Sequence, residues 1–164
     1  MSSPTRELIW QTMEDYSYEL QLLGMRVLDQ GIAGDKDKPS DRAKYFEGND
    51  FKTMDADAKW GADYTCDITN MQFPDNSFDL IICGQVLEHV FDFQKALKEI
   101  YRTTRKYAII DTPFFYPEHP EPPSFGDYWR FTSQGMRLCL EQAGFKKVKV
   151  RNIDDLLITA LAEK

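Results

Sequence analysis

The stretch FPDNSFDLIICGQVLEHV, residues 73–90, decides the fold. Pro74, Asp75, Asn76 and Ser77 make a turn. Phe78, Asp79, Leu80, Ile81, Ile82 and Cys83 follow as a short, mostly apolar run bounded by turn signals. Its length suits a buried strand better than a helix. The run breaks at Gly84 and turns polar at Gln85, Glu88 and His89. A buried strand driven into glycine and polar side chains reads as one whose tip faces a ligand.

Working outward, the same alternation of elements recurs. Leu8, Ile9, Met13, Tyr16, Leu20 and Leu23 recur at helical spacing and predict a helix over residues 5–23, closed by Gly24. Residues 25–28 form a strand candidate stopping at Asp29. Residues 30–40 are polar and carry Gly31 and Gly34, a loop, and a short helix covers 41–46. Residues 51–54 and 63–66 read as strands ending at Asp55 and Asp67. After the opening strand, Phe93, Ala96, Leu97, Ile100 and Tyr101 fit a helical stripe, and 107–110 read as a strand ending at Asp111. Residues 112–126 hold five prolines and four aromatic residues and are expected to be neither helix nor central strand. Met136, Cys139, Leu140 and Ala143 make a last helical stripe, and 146–150 a sixth strand. Residues 156–162 are apolar, and their period does not separate strand from helix. Strands alternating with helices imply a mostly parallel sheet covered on both faces, an α/β three-layer sandwich.

The whole chain bounds these readings. Its 164 residues predict one domain over 1–164, with an N-terminal helix in 1–24 and a Rossmann-like core in 25–164. A net charge of −7 argues against binding duplex nucleic acid. No apolar run approaches the roughly 20 residues of a membrane span, and the first 20 residues do not read as a secretory leader, so a cytoplasmic protein without a membrane partner is expected. Cys66, Cys83 and Cys139 lack a C-x-x-C spacing; they are expected to be buried thiols, and no metal site is expected.

Four of the five expected strand tips are aspartates: Asp29, Asp55, Asp67 and Asp111. A carboxylate is costly to bury without partners, so this rim predicts a polar cleft. An acid ending the second strand is suited to the two ribose hydroxyls of a nucleoside, and Asp55 fits that role or, alternatively, a plain turn in Asp55-Ala56-Asp57. A dinucleotide would need G-x-G-x-x-G after the first strand; here Asp29 and Asp35 flank the loop and would repel a pyrophosphate. No Tyr-x-x-x-Lys occurs either, which weighs against a nicotinamide oxidoreductase. A ligand with a sulfonium cation and an amino group fits better.

The order of DITNMQFPDNSFDLIICGQVLEHV, an amphipathic helix, DTPF and DYWRFTSQGMRLCLEQAGF resembles the class I S-adenosylmethionine-dependent methyltransferases, most of all their small type 11 members. The resemblance covers roughly residues 26–150. It implies a seven-stranded sheet with the last strand antiparallel, S-adenosylmethionine as cofactor and S-adenosylhomocysteine as product. It implies that Asp29 and Gly31 begin the first, glycine-rich motif, that Asp55 takes the ribose, and that Asp67 and Ile68 flank adenine with Met71 on the same ring. Gly84 and Gln85 are implied beside the sulfonium. This chain departs from the family's D-x-G-x-G-x-G at Ala33 and Asp35. A catalytically weak or inactive cofactor-binding partner subunit is therefore the alternative to an enzyme.

On the acceptor side, His119 in Tyr116-Pro117-Glu118-His119-Pro120 is either a base or substrate contact, or a surface histidine. His89 more naturally bonds backbone at the start of a turn. Tyr128 and Arg130 either face an acceptor or, for Arg130, pair with Asp127, while Trp129 and Phe131 pack inward and Thr132 caps the next helix. Phe114-Phe115-Tyr116 reads as a lid or as a homodimer contact. The expected acceptor is a small molecule or glycan-like compound methylated at oxygen.

Overall fold

The computed structural model describes residues 4–31, 41–119 and 125–164. The expectations for Ala33, Gly34 and Asp35 lie outside the described residues. Helix α1 (Pro4–Leu20) leads into β1 (Arg26–Gln30), β2 (Asp50–Asp55), β3 (Tyr64–Thr65) and β4 (Phe78–Gly84). Helix α2 (Phe93–Thr103), β5 (Thr104–Pro113), α3 (Ser133–Ala143), β6 (Lys147–Ile153) and β7 (Leu157–Glu163) complete the order. The strands form one sheet ordered β3-β2-β1-β4-β5-β7-β6. The pairs among β1 to β5 are parallel, and β7 runs antiparallel between β5 and β6. The expected three-layer α/β architecture, with its last strand antiparallel, is what the chain adopts.

Side-chain alternation builds the two faces. Leu28, Ile81, Cys83, Ala108 and Ile110 point to one side and pack with Ala96, Leu97 and Ile100 of α2 and Met136 and Leu140 of α3. Val27, Leu80, Ile82, Ile109 and Leu161 point to the other and pack with Met13 and Tyr16 of α1 and with Phe46. Because successive strand residues face opposite sides, β4 must be apolar throughout to satisfy both. Its one acid, Asp79, sits at the opposite end from the tip, accepting from the Arg26 N–H at 3.0 Å and from Arg105 Nε at 2.6 Å.

Several boundaries differ from expectation for physical reasons. Helix α1 stops at Leu20 because Gln21 takes a left-handed backbone (φ 45°), three residues before Gly24. Strand β5 extends through Thr112 and Pro113 into the region expected to be irregular. Pro113 is tolerated because it is the last residue of the ladder, opposite Leu157. Residues 157–163 are a strand, with partners on both sides. Of the three cysteines only Cys83 is fully buried; Cys66 and Cys139 are half-exposed. No helix among the described residues is long and apolar enough to cross a membrane.

Candidate functional site

The carboxyl tips of β1, β2 and β4 open onto a cavity of about 670 Å³. Gly31, Asp55, Asp67, Ile68 and Gln85 all line it, so five residues singled out from the sequence meet in one hollow. Trp60 and Cys66 join its wall without having been anticipated. The volume lies within the range of a small-molecule site, roughly 300–1,000 Å³.

Each wall residue is held by local structure. Gly31 leaves β1 at φ 74° and donates its N–H to the Met54 carbonyl at 3.0 Å. A Cβ there would overlap Val86 Cγ2, so only glycine lets β1 and the loop after β4 approach this closely. Asp55 accepts from the Asp57 N–H at 2.9 Å and Asp67 from the Thr69 N–H at 2.7 Å. These turn bonds fix the two carboxylates at the rim while both still line the cavity. Gln85 adopts φ 58°, a left-handed turn that aims it across the strand tips. Its N–H donates to the Asp111 carbonyl at 2.8 Å, and its Nε2 to Asp111 Oδ1 at 2.6 Å.

Other singled-out residues lie behind this wall. Asp29 is fully buried and bonded to Arg42 Nη1 at 2.9 Å, and Arg42 Nη2 reaches the Gly84 carbonyl at 3.1 Å. Gly84 stands against this cluster, and a Cβ on it would run into the Arg42 guanidinium and Asp111. Burial opposes the charge on Arg42, but Asp29 and Asp111 outweigh it and raise its pKa. Burial likewise raises the Asp111 carboxyl, against the lowering pull of Arg42 and Gln85. Met71 is 3% exposed in the core, where its sulfur accepts from Gln30 Nε2 at 3.1 Å.

The acceptor-side residues gather at one mouth of the cavity. His89, Phe125, Gly126 and Tyr128 line it, with Tyr128 half-exposed. The Glu88 carbonyl receives the N–H groups of Tyr128 (2.8 Å) and Trp129 (3.3 Å), which joins the turn after β4 to the DYWRF segment. Arg130 does pair with Asp127, Nη1 and Nη2 donating at 2.5 and 2.8 Å. Those bonds hold the Asp127 carboxyl below its ordinary range. Asp127 Oδ2 in turn accepts from the His119 N–H at 2.9 Å and lies 3.1 Å from His119 Nδ1. Neither Arg130 nor His119 reaches the cavity wall; His119 instead packs edge-on against His89, ring centroids 4.9 Å apart. His89 Nδ1 bonds a backbone carbonyl, as expected, but one from across the site, Gly126, at 2.6 Å. Burial lowers the His89 pKa, with that bond opposing it. Glu88 is fully buried with neither carboxyl oxygen partnered by another residue, and burial pushes its pKa up to about 8, opposed by its own backbone N–H and reinforced by the charge of Asp111.

This sheet order, with one antiparallel strand and a cavity at the parallel tips, is the Rossmann-like fold of class I methyltransferases. Many solved structures share it, among them three methyltransferases. A SAM-dependent methyltransferase from Aquifex aeolicus superimposes with a TM-score of 0.69 at 19% identity, covering 98% of this chain and 93% of that one. One from Archaeoglobus fulgidus gives 0.70 at 16% identity, covering 97% and 94%. The 1,6-didemethyltoxoflavin-N1-methyltransferase of Burkholderia thailandensis, solved with S-adenosylhomocysteine, gives 0.66 at 16%, covering 94% and 77%. In sequence, residues 43–110 match the family model of a methyltransferase domain, Methyltransf_11. No curated protein sequence matches the chain. The resemblance to class I S-adenosylmethionine-dependent methyltransferases is thus present twice, in the matched residues and in the fold.

Proposed function

We propose that the cavity binds S-adenosylmethionine and that the chain transfers its methyl group to a small-molecule or glycan-like acceptor at oxygen. One observation carries the reading: Asp55 and Asp67, from different strand tips, wall the same hollow together with Gly31. The residues present suit the group. Asp55 would accept from the ribose hydroxyls, and Asp67 from the adenine amine with Ile68 against the ring. The tight turn at Gly31 leaves room for the methionine portion, and Gln85 closes the floor. When bound, the cofactor supplies a methyl group already activated on cationic sulfur.

The protein's task is then alignment and an approach path without water. Tyr128 and Phe125 flank that path and would contact the acceptor. Arg130 acts at one remove, fixing Asp127 and through it His119. The reading of a cytoplasmic protein, and of a homodimer through the aromatic loop, remains part of this proposal.

Calorimetric titration with S-adenosylhomocysteine tests it. Saturable binding that weakens in Asp55→Ala is expected; absence of heat at millimolar ligand in folded protein would overturn it. A second reading, a cofactor-binding partner without turnover, draws on Ala33 and Asp35 in the degenerate first motif. The fold itself does not fix the reaction, since a neighbour at TM-score 0.61, SpnF, is a [4+2]-cyclase. Binding without methyl transfer to any of a panel of hydroxylated acceptors would favour that second reading.

A further inference from the structure

The chain has two histidines, and the fold brings both to one point. Glu88, His89 and His119 each offer a ligand atom, and the three atoms lie within 4.8 Å of one another. Two histidines and one carboxylate are a donor set for a divalent transition cation such as Zn²⁺. From this geometry we propose a divalent-cation site formed by Glu88, His89 and His119 at the mouth of the cavity.

Proximity alone would not carry this; the surroundings do. A carbonyl oxygen only accepts, so the 2.6 Å contact to Gly126 puts the His89 proton on Nδ1 and leaves a lone pair on Nε2. That Nε2 lies 3.7 Å from Glu88 Oε1. His119 repeats the pattern: its Nδ1 faces the Pro117 carbonyl at 3.0 Å and the Asp127 carboxylate at 3.1 Å, both acceptors, so the neutral ring carries its proton on Nδ1 and its lone pair on Nε2. Metal-bound histidines characteristically donate their second N–H to a carbonyl or carboxylate in this way. Asp127 is itself clamped by Arg130 through two bonds, so the support extends two residues deep.

Glu88 is the independent observation. Its side chain is fully buried, and neither oxygen has a hydrogen-bond partner outside its own residue. A buried carboxyl orphaned in this way is rare in native proteins, and it ionises only when a counter-charge is bound beside it. A bound cation would give the carboxylate its counter-charge and both imidazole lone pairs an acceptor.

The site is open on one side, because His89 lines the cavity beside Gln85 and Tyr128. Three protein ligands leave a coordination position there for an oxygen donor. Resting on the methyltransferase reading, this narrows the acceptor to a hydroxyl- or carboxylate-bearing compound held by the cation.

The test uses untagged protein, so that no added histidines compete. After equilibration with Zn²⁺ and gel filtration, metal content is measured by plasma mass spectrometry, and Co²⁺ binding by visible absorption. One equivalent of metal is expected, with a Co²⁺ spectrum of nitrogen and oxygen ligation. Glu88→Gln and His119→Ala are expected to weaken binding at least about tenfold, the scale at which even supporting residues act. The side chain of His119 is 36% exposed, so its removal spares the fold and keeps the test decisive. Metal retention unchanged in His119→Ala, no bound metal at all, or a thiolate band assigning the ion to Cys66 would each overturn the proposal. S-adenosylhomocysteine titrations on the same samples separate the two readings: cofactor binding without metal refutes this site alone, and metal without cofactor refutes the other.

Discussion

Arg42→Met removes one charge from a place where water cannot replace it. Arg42 is 8% exposed, while Asp29 and Asp111 are fully buried. The substitution keeps most of the side-chain volume but removes the guanidinium that bonds Asp29, lowers the Asp111 pKa and donates to the Gly84 carbonyl. Breaking a buried pair from one side costs about 3–5 kcal/mol, against a total stability of about 5–15 kcal/mol for a typical domain. With a urea dependence of about 2 kcal/mol per molar, the unfolding midpoint should fall by roughly 2 M. Adding Asp29→Asn should recover part of the loss, a coupling of about 1–3 kcal/mol. Equilibrium urea unfolding, followed by tryptophan fluorescence and circular dichroism, measures all four corners of the cycle. A single-mutant loss below about 1 kcal/mol, or strictly additive effects, would refute the view that Arg42 is the charge under the strand tips.

Asp55→Ala should weaken S-adenosylhomocysteine binding by about 1–3 kcal/mol, the loss of charge-assisted hydrogen bonds, with the fold intact; unchanged affinity by calorimetry would remove Asp55 from the ribose role. Gly31→Ala forces a left-handed backbone on a residue with a Cβ and drives it against Val86, so a stability loss of about 1–3 kcal/mol in thermal unfolding is expected, together with weaker cofactor binding. Wild-type stability in Gly31→Ala would mean that the turn is not needed. Asp79 is buried, and the bonds from Arg26 and Arg105 overcome that burial to hold its pKa below the ordinary value. A depressed carboxyl stabilises above its unfolded pKa of about 3.9 and loses that contribution as pH falls through the folded value. Asp79→Asn should therefore cost about 1.5–3 kcal/mol at neutral pH and progressively less in acid. An equal cost at all pH values would show that the effect is not ionic.

What the sequence revealed, and what it hid, follows from the range of the forces involved. Strand β4 was legible because a strand buried on both faces must be apolar at every position, and residues 80–83 are. Asp55, Asp67 and Gly31 were legible because strand tips in this fold carry their chemistry at fixed places in the chain order. Strand β7 was not, since an apolar run of its length suits a buried helix equally; only pairing on both sides decides. Pro113 misled because its missing N–H matters only inside a ladder, and whether it is inside depends on a strand more than forty residues later. Arg42 sits in the unremarkable DRAKYF, and its partners Asp29 and Gly84 are 13 and 42 residues away. The Glu88, His89 and His119 cluster could not be read from spacing at all, because it depends on how two loops fold over one cavity.

The placement of β7 also bears on how the chain reaches this structure. Two strands made earlier, β5 and β6, have no ladder to each other and depend on a third that enters between them. Until it arrives, each presents an open row of amide and carbonyl groups to whatever is nearby, the condition under which chains pair with copies of themselves. The turn at Asp154 and Asp155, both left-handed with φ 52° and 55°, joins β6 and β7 as a hairpin. A hairpin docking as a unit would shut both openings in one step, so lesions in that turn should show as aggregation during synthesis before they show as lost stability in the finished protein.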